Sequence, residues 1–267
     1  MNEEVVAKEL KQMGIHISTS SRILPEYREY ERFSTTVVNA YVSPVMSKYL
    51  TSLEDGLKTK NIRIMQSNGG SISPGTAKER AVNCILSGPA GGVIGASEIA
   101  KLAGIRKIIS FDMGGTSTDV SLCDGDVRLT TQTFINEMPI KIPVIDMSTV
   151  GAGGGSIAYV DTGGALRVGP QSAGADPGPV CYGKGKELTV TDANLFLGRI
   201  SAEHFLGGRM ILKTDMVSRY MELLAKRLRM NSVKVAEGII DVANANMERT
   251  IKVISVEKGF DVRDYAL

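Results

Sequence analysis

This sequence predicts a mixed α/β fold, with sheet in the middle of the chain and helices at its end. Three observations carry that prediction. Residues 106–133 alternate short apolar runs with tight turn signals, residues 139–186 place short strands between glycine-rich loops, and the last third has the apolar spacing of helices. That order argues against a helical bundle.

The first thirty-odd residues are mixed and charged. Ser34 is placed to cap a helix carrying Val37, Val38, Tyr41, Val42, Val45, Met46, Tyr49, Leu50 and Leu53, which Pro44 should kink or split. Ile62–Met65 reads as a strand ending in the turn Asn68-Gly69-Gly70. Residues 87–104 read as a helix with a backbone-exposing start, Pro89 in its first turn and Gly104 as its stop. Within 106–133, Ile108, Ile109 and Phe111 form one strand and Val120 and Leu122 a second. Val127 and Leu129 form a third, after the hairpin turn Asp124-Gly125-Asp126. The 48 positions 139–186 hold 11 Gly and 5 Pro but only 7 charged residues. The glycines alternate with Ile157, Tyr159, Val160, Leu166 and Val168, so these are ordered loops between strands rather than a flexible linker. Thr191-Asp192 begins one helix, Thr214-Asp215 a second, and a third runs from about Ser232 to Lys258 with Ala236, Ile239, Ile240, Ala243, Met247, Ile251 and Ile254 on one face.

The 267 residues suffice for one large domain or two modest ones, and 43% apolar with 22% charged residues excludes a disordered chain. A net charge of +2 gives no electrostatic ground for nucleic acid or an anionic membrane as partner. Aromatic content of 5% without Trp argues against stacking platforms for single strands. Cys84, Cys123 and Cys181 are far apart and odd in number, which argues against a disulfide framework or structural zinc. No apolar run reaches the ~18 residues of a membrane span, and Met1-Asn2-Glu3-Glu4 lacks a signal-peptide pattern. The expected location is the cytoplasm.

The chemistry concentrates in Phe111-Asp112-Met113-Gly114-Gly115-Thr116-Ser117-Thr118-Asp119-Val120. Paired glycines let backbone approach an anion without a Cβ in the way, and successive N–H groups in such a bend converge on phosphate oxygens. The hydroxyls of Thr116 and Thr118, beside Ser117, can add donors. Asp112 can hold Mg²⁺, most simply through water. Asp119 has two readings, hydrogen-bonding the turn or polarising a water.

This string resembles the second phosphate-binding hairpin of the superfamily that includes actin, sugar kinases and the heat-shock-chaperone ATPases. Ser87–Gly104 is similar to the connecting helix before it. Further strings narrow the likeness to the hydantoinase A/5-oxoprolinase family. They are Gln66-Ser67-Asn68-Gly69-Gly70, Gly151-Ala152-Gly153-Gly154-Gly155-Ser156-Ile157-Ala158, the run from Gly169 to Gly183, Thr191-Asp192-Ala193-Asn194, and Val242-Ala243-Asn244-Ala245-Asn246-Met247. The resemblance covers roughly Leu24 to Leu267. It implies a ribonuclease H-like, actin-like ATPase lobe: a mixed sheet flanked by helices, with the second lobe incomplete. Residues 1–86 would be the remnant of a first lobe. Residues 87–267 would be the second lobe, with the phosphate hairpin at 106–133, a Gly-rich insert at 139–186 and helices over 191–258. An Asp-Gly-Gly-Thr hairpin on the first lobe and a Gly-Gly loop for adenosine are both missing. The chain is therefore expected to be a central portion, a fragment or split-gene product, with weakened nucleotide binding.

The function implied is ATP- and Mg²⁺-dependent phosphoryl transfer to a cyclic amide, with Asp112 and Asp119 in the catalytic machinery and hydrolytic ring opening as the outcome. The alternatives are the ATP-using subunit of an acetone- or acetophenone-carboxylase-type enzyme, or a non-catalytic actin-like ATP switch. A second, B-type subunit or self-association is expected. Gly114, Gly115 and Thr116 would cradle the β/γ-phosphates. Gly153, Gly154, Gly155 and Ser156 either offer further N–H groups to phosphate or substrate oxygen, or form a tight turn packed beneath another element. Asp176 and Cys181 leave a substrate or metal role open. His16 and His204 are isolated, and His204 reads as a surface or capping residue before a catalytic one. Asn244 and Asn246 cannot share a helix face, and the 12 Met residues are explained by core filling. No GxGxxG joins a strand to a helix, which excludes a dinucleotide-binding reading.

Overall fold

The computed structural model describes residues 2–57, 61–135 and 137–267. The chain forms two compact units, one from Met1–Ile108 with Cys123–Asp146, the other from Ile109–Leu122 with Met147–Leu267.

The first unit begins with α1 (Asn2–Lys11) and α2 (Ser20–Ile23), followed by the long α3 (Glu29–Gly56). Helix α3 starts earlier than Ser34, which lies buried within it. The residue before the helix is Arg28 at φ 80°. Pro44 neither splits nor ends it. It sits on the exposed side, where water can satisfy the carbonyl that its missing N–H leaves unpaired. One face of α3 buries Thr35, Val38, Asn39, Ser43 and Leu50, while Tyr30, Phe33, Val37, Tyr41, Val45 and Tyr49 remain exposed. The strand expected at 62–65 is short, with β1 (Ile64–Met65) pairing β2 (Ser71–Ile72). Then come α4 (Pro74–Glu79) and α5 (Ser87–Leu102), the latter stopped near Gly104 at φ 74° as expected.

The predicted hairpin is present as β3 (Lys107–Met113) and β4 (Thr118–Asp124). Gly125 at φ 78° turns the chain into β5 (Asp126–Val127). Four short strands follow: β6 (Leu129–Thr130), β7 (Thr133–Ile135), β8 (Met138–Ile140) and β9 (Val144–Ile145). They pair β6 with β9 and β7 with β8. Ile140, Ile142 and Val144 pack with Val38 of α3 and Val82 in a core of the first unit.

In the second unit, β10 (Met147–Val150) runs antiparallel to β4, giving the order β10-β4-β3. Strands β11 (Ser156–Val160) and β12 (Leu166–Ser172) form a separate antiparallel pair. The helices α6 (Val190–Phe196), α7 (Thr214–Leu228) and α8 (Ser232–Ile254) complete it. The cap of α6 lies two residues before the expected Thr191-Asp192. Thr189 caps it, and the Asp192 carboxylate returns the bond to the Thr189 N–H. Helix α8 ends at Ile254, and Val256–Lys258 is a separate 3₁₀ turn rather than its continuation. The main core joins Val168, Val190, Val217, Met221, Val235 and Ile239. A second cluster joins Ile109, Val120 and Leu122 of the hairpin to Ile254.

Candidate functional site

Strand period places the acid of the hairpin. Phe111 packs toward Ile109, Val120, Leu122 and Ile254, so its neighbour Asp112 faces the other way, into solvent. The Asp112 carboxylate makes no hydrogen bond or ion pair among the described residues. Met113 through Thr116 are exposed as well. The bend is closed by the Gly114 N–H donating to the Ser117 carbonyl at 2.8 Å.

Behind the bend lies the loop Gly151–Ser156. The Gly154 N–H donates to the Gly114 carbonyl at 3.0 Å, and the Gly155 N–H to the Gly115 carbonyl at 2.6 Å. A trans peptide is planar, with its C=O and N–H pointing in opposite directions. Two carbonyls drawn back by the loop therefore turn the N–H groups of Gly115 and Thr116 away from it. Neither of those N–H groups has a protein acceptor among the described residues. A Cβ added to Gly115 would meet nothing within 4 Å, so the space there is open. Two adjacent outward N–H groups, an exposed Thr116 hydroxyl and a free carboxylate fit a phosphate–Mg²⁺ group. No group of three or more His, Cys, Asp or Glu placed to hold a metal occurs among the described residues.

The glycine loop does not do what its bare backbone suggested. Its N–H groups are spent, on Ser156 Oγ by Gly153 (2.8 Å), on the bend by Gly154 and Gly155, and on Gly153 O by Ser156 (3.0 Å). Ser156 is fully buried. The N–H groups of Gly153, Gly154, Gly155 and Ser156 are thus all engaged within the protein, as in a packed turn. Glycine is needed for closeness. A Cβ at Gly153 would lie 2.8 Å from Gly114 O, Gly115 C and Thr116 N. One at Gly154 would lie 2.8 Å from Thr191 Oγ1, and one at Gly155 2.8 Å from Gly115 O and Ser172 Oγ.

Thr118 is engaged in the same way. It is fully buried, and its hydroxyl donates to the Ala152 carbonyl at 2.5 Å, near Met247 Sδ at 3.6 Å. Ser117 is half-buried at the end of the bend. Asp119 lies opposite Thr149 on β10 and accepts its hydroxyl at 2.6 Å through one carboxylate oxygen.

The segment Ser172–Gly183 divides. Asp176 is exposed beside Lys184 at 3.4 Å. Cys181 is buried, and its thiol is held far above the ordinary cysteine value by burial first and then by the Asp192 charge. Burial of this kind keeps the thiol protonated. Asp192 is fully buried and accepts from the N–H groups of Val180, Cys181 and Thr189 and from the Thr189 hydroxyl. His204 is exposed, its Nδ1 2.9 Å from Ser201 Oγ, and His16 is exposed too. Asn246 donates to the Val168 carbonyl at 3.2 Å, and Asn244 faces solvent. In the first unit, Gln66–Gly70 is a closed turn. Its buried Ser67 receives the Leu86 N–H on Oγ and the Ile145 N–H on its carbonyl.

Thr191, Thr149 and Ser172 were not singled out from the sequence as site residues. The Thr191 N–H and hydroxyl both donate to the Gly154 carbonyl, each at 2.8 Å. The density of glycine at 151–155 demanded a close neighbour without naming it, and the strings that contain Thr191 and Ser172 carried no role for either.

Comparison with known proteins adds to this geometry. A family model described as hydantoinase/oxoprolinase matches residues 32–267. Caprolactamase subunit alpha of Pseudomonas jessenii is 43% identical over 261 residues, 95% of this chain and 37% of that protein. The 5-oxoprolinase of Saccharomyces cerevisiae is 41% identical over 284 residues, 100% of this chain and 22% of that protein. The nucleotide-free structure of an acetone carboxylase, whose carboxylation is ATP-dependent, matches with a TM-score of 0.86 at 29% identity, over 98% of this chain and 38% of that one. The chain thus spans well under half the length of each.

Proposed function

The chain belongs to the hydantoinase/oxoprolinase family, and on that premise we propose that it supplies the phosphate-gripping hairpin of an ATP-dependent enzyme that opens a cyclic amide. The observation that carries the proposal is the pair of outward, unspent N–H groups at Gly115 and Thr116 beside the free carboxylate of Asp112. When bound, MgATP supplies the phosphoryl group that activates a resonance-stabilised ring amide. The residues of this chain hold and orient. The N–H groups of Gly115 and Thr116 and the Thr116 hydroxyl donate to phosphate oxygens. Their directions are fixed beforehand by the loop behind them, so no reorganisation is needed as charge develops. Asp112 would hold the cation through its waters. Asp119 braces β4 to β10.

In this reading the hairpin belongs to an actin-like ATPase lobe, and the enzyme works in the cytoplasm with a second, B-type subunit. The relative named as an alpha subunit and the three buried, unpaired cysteines support those parts. The likeness to acetone carboxylase favours one other outcome for the same grip, in which the activated acceptor is carboxylated instead of hydrolysed.

The test is calorimetric titration with MgATP, then phosphate release with 5-oxoproline or ε-caprolactam against acetone with bicarbonate. Asp112→Asn should lower turnover by about a hundredfold, and Asp119→Asn far less. Gly115→Ala should fold normally and lose nucleotide affinity, because its methyl would occupy the open side of the bend. Unchanged MgATP affinity in both Gly115→Ala and Asp112→Asn sinks the proposal.

A further inference from the structure

We propose that Thr191 is a positioning residue for the phosphate bend, acting through Gly154; this rests on the reading of the bend as the nucleotide grip. Thr191 stands on a rigid base. It follows Thr189, whose capping box with the fully buried Asp192 also gathers the N–H groups of Val180 and Cys181. From there Thr191 grips one carbonyl twice, with its N–H and its hydroxyl both donating to Gly154 O at 2.8 Å. That carbonyl shares its planar peptide with the Gly155 N–H, which therefore points the opposite way and donates to Gly115 O at 2.6 Å. The Gly115–Thr116 peptide is thereby held with its oxygen inward and the Thr116 N–H outward. The preceding peptide repeats the arrangement for Gly115: the Gly153 carbonyl accepts the Ser156 N–H at 3.0 Å, and the Gly154 N–H donates to Gly114 O at 3.0 Å. Thr191 touches no reacting atom. Its role is to stop the second of the two donor peptides from rotating.

Thr191→Val keeps the N–H and the shape and removes the hydroxyl, while Thr191→Ser keeps the hydroxyl. In a ¹⁵N-labelled chain, the amide signals of Gly115 and Thr116 should shift and broaden in Thr191→Val and return toward their original positions in Thr191→Ser. MgATP affinity should fall about threefold to tenfold in Thr191→Val, the worth of one hydrogen bond, and by less than about twofold in Thr191→Ser. Unmoved amide signals in Thr191→Val overturn the inference whatever the nucleotide does. Moved signals with unchanged MgATP affinity retain the positioning and overturn the phosphate reading. In the unaltered protein the Gly154 and Gly155 amides should exchange with deuterium slowly and those of Gly115 and Thr116 fast. The opposite order overturns the inference without any variant.

Discussion

At the scale of single residues, two chemically identical glycines do opposite work. Gly115 leaves room on the open side of the bend, and Gly153 leaves room on the packed side, where a methyl would sit 2.8 Å from three backbone atoms. Gly153→Ala should therefore cost about 1–3 kcal/mol, the range for overpacking, measured as a lowered midpoint in urea. The acid and the glycine pair of the bend were legible in the sequence because that chemistry is local. The fate of Thr118 was legible too, but only through strand period. Val120 and Leu122 point inward, and residues two apart share a face, so Thr118 had to turn inward with them. Its hydroxyl suggested a ligand, while its position in the strand required a buried partner, which is Ala152 O. What no local pattern held was the contact of residues 153–155 with residues 114–116, made across nearly forty positions of chain.

Helix ends decide the outcome at the scale of elements. Helix α6 is short, and its start is fixed by a buried carboxylate that receives four donors. Asp192→Ala would strand those donors and should cost at least ~3 kcal/mol, since each unsatisfied buried group costs about 1–3 kcal/mol. A calorimetric scan reads the loss. The Thr189-x-x-Asp192 spacing of a capping box was present in the sequence, but the adjacent Thr191-Asp192 pair drew the helix start two residues late. Helix α1 meets α2 through Glu3, whose carboxylate accepts from Ser20 N and Oγ and from Ser21 N. The Ser20 hydroxyl first, then the Ser21 N–H, hold the Glu3 carboxyl down to about 2 from 4.5. A depressed value in the folded state means that this contact stabilises at pH above 4.5 and is lost as the pH falls through about 2. The Ser20 and Ser21 amide shifts should therefore titrate with a midpoint near 2, and a midpoint at 4.5 would show that the contact does not form in solution. Helix α3 showed its apolar periodicity in advance, but not its start at Glu29 or its unbroken passage through Pro44. Its two faces were not separable in advance, because both rows are apolar: Val38 and Leu50 are covered, while Phe33, Tyr41 and Tyr49 are exposed.

Across the whole molecule, the mixed α/β class was legible from the order of the patterns, while the pairing of the short strands between 126 and 150 was not. Runs of two or three residues carry too little periodicity to choose a partner. Among the described residues no helix is long and apolar enough to cross a membrane. Cys84, Cys123 and Cys181 are all buried and unpaired, and burial raises each thiol above its ordinary value. A thiol reagent should find none of them in the native protein and all three after denaturation, so the modification rate reports unfolding of the chain. The glycine-rich stretch behind the bend bears on how this protein can change over generations. Gly153, Gly154 and Gly155 are each hemmed in on the side where any other amino acid would grow. A codon-by-codon survey scored for soluble yield should reject replacements at these three positions yet accept many at Gly115. The same survey scored for turnover should reject all four, which would separate inheritance constrained by shape from inheritance constrained by chemistry.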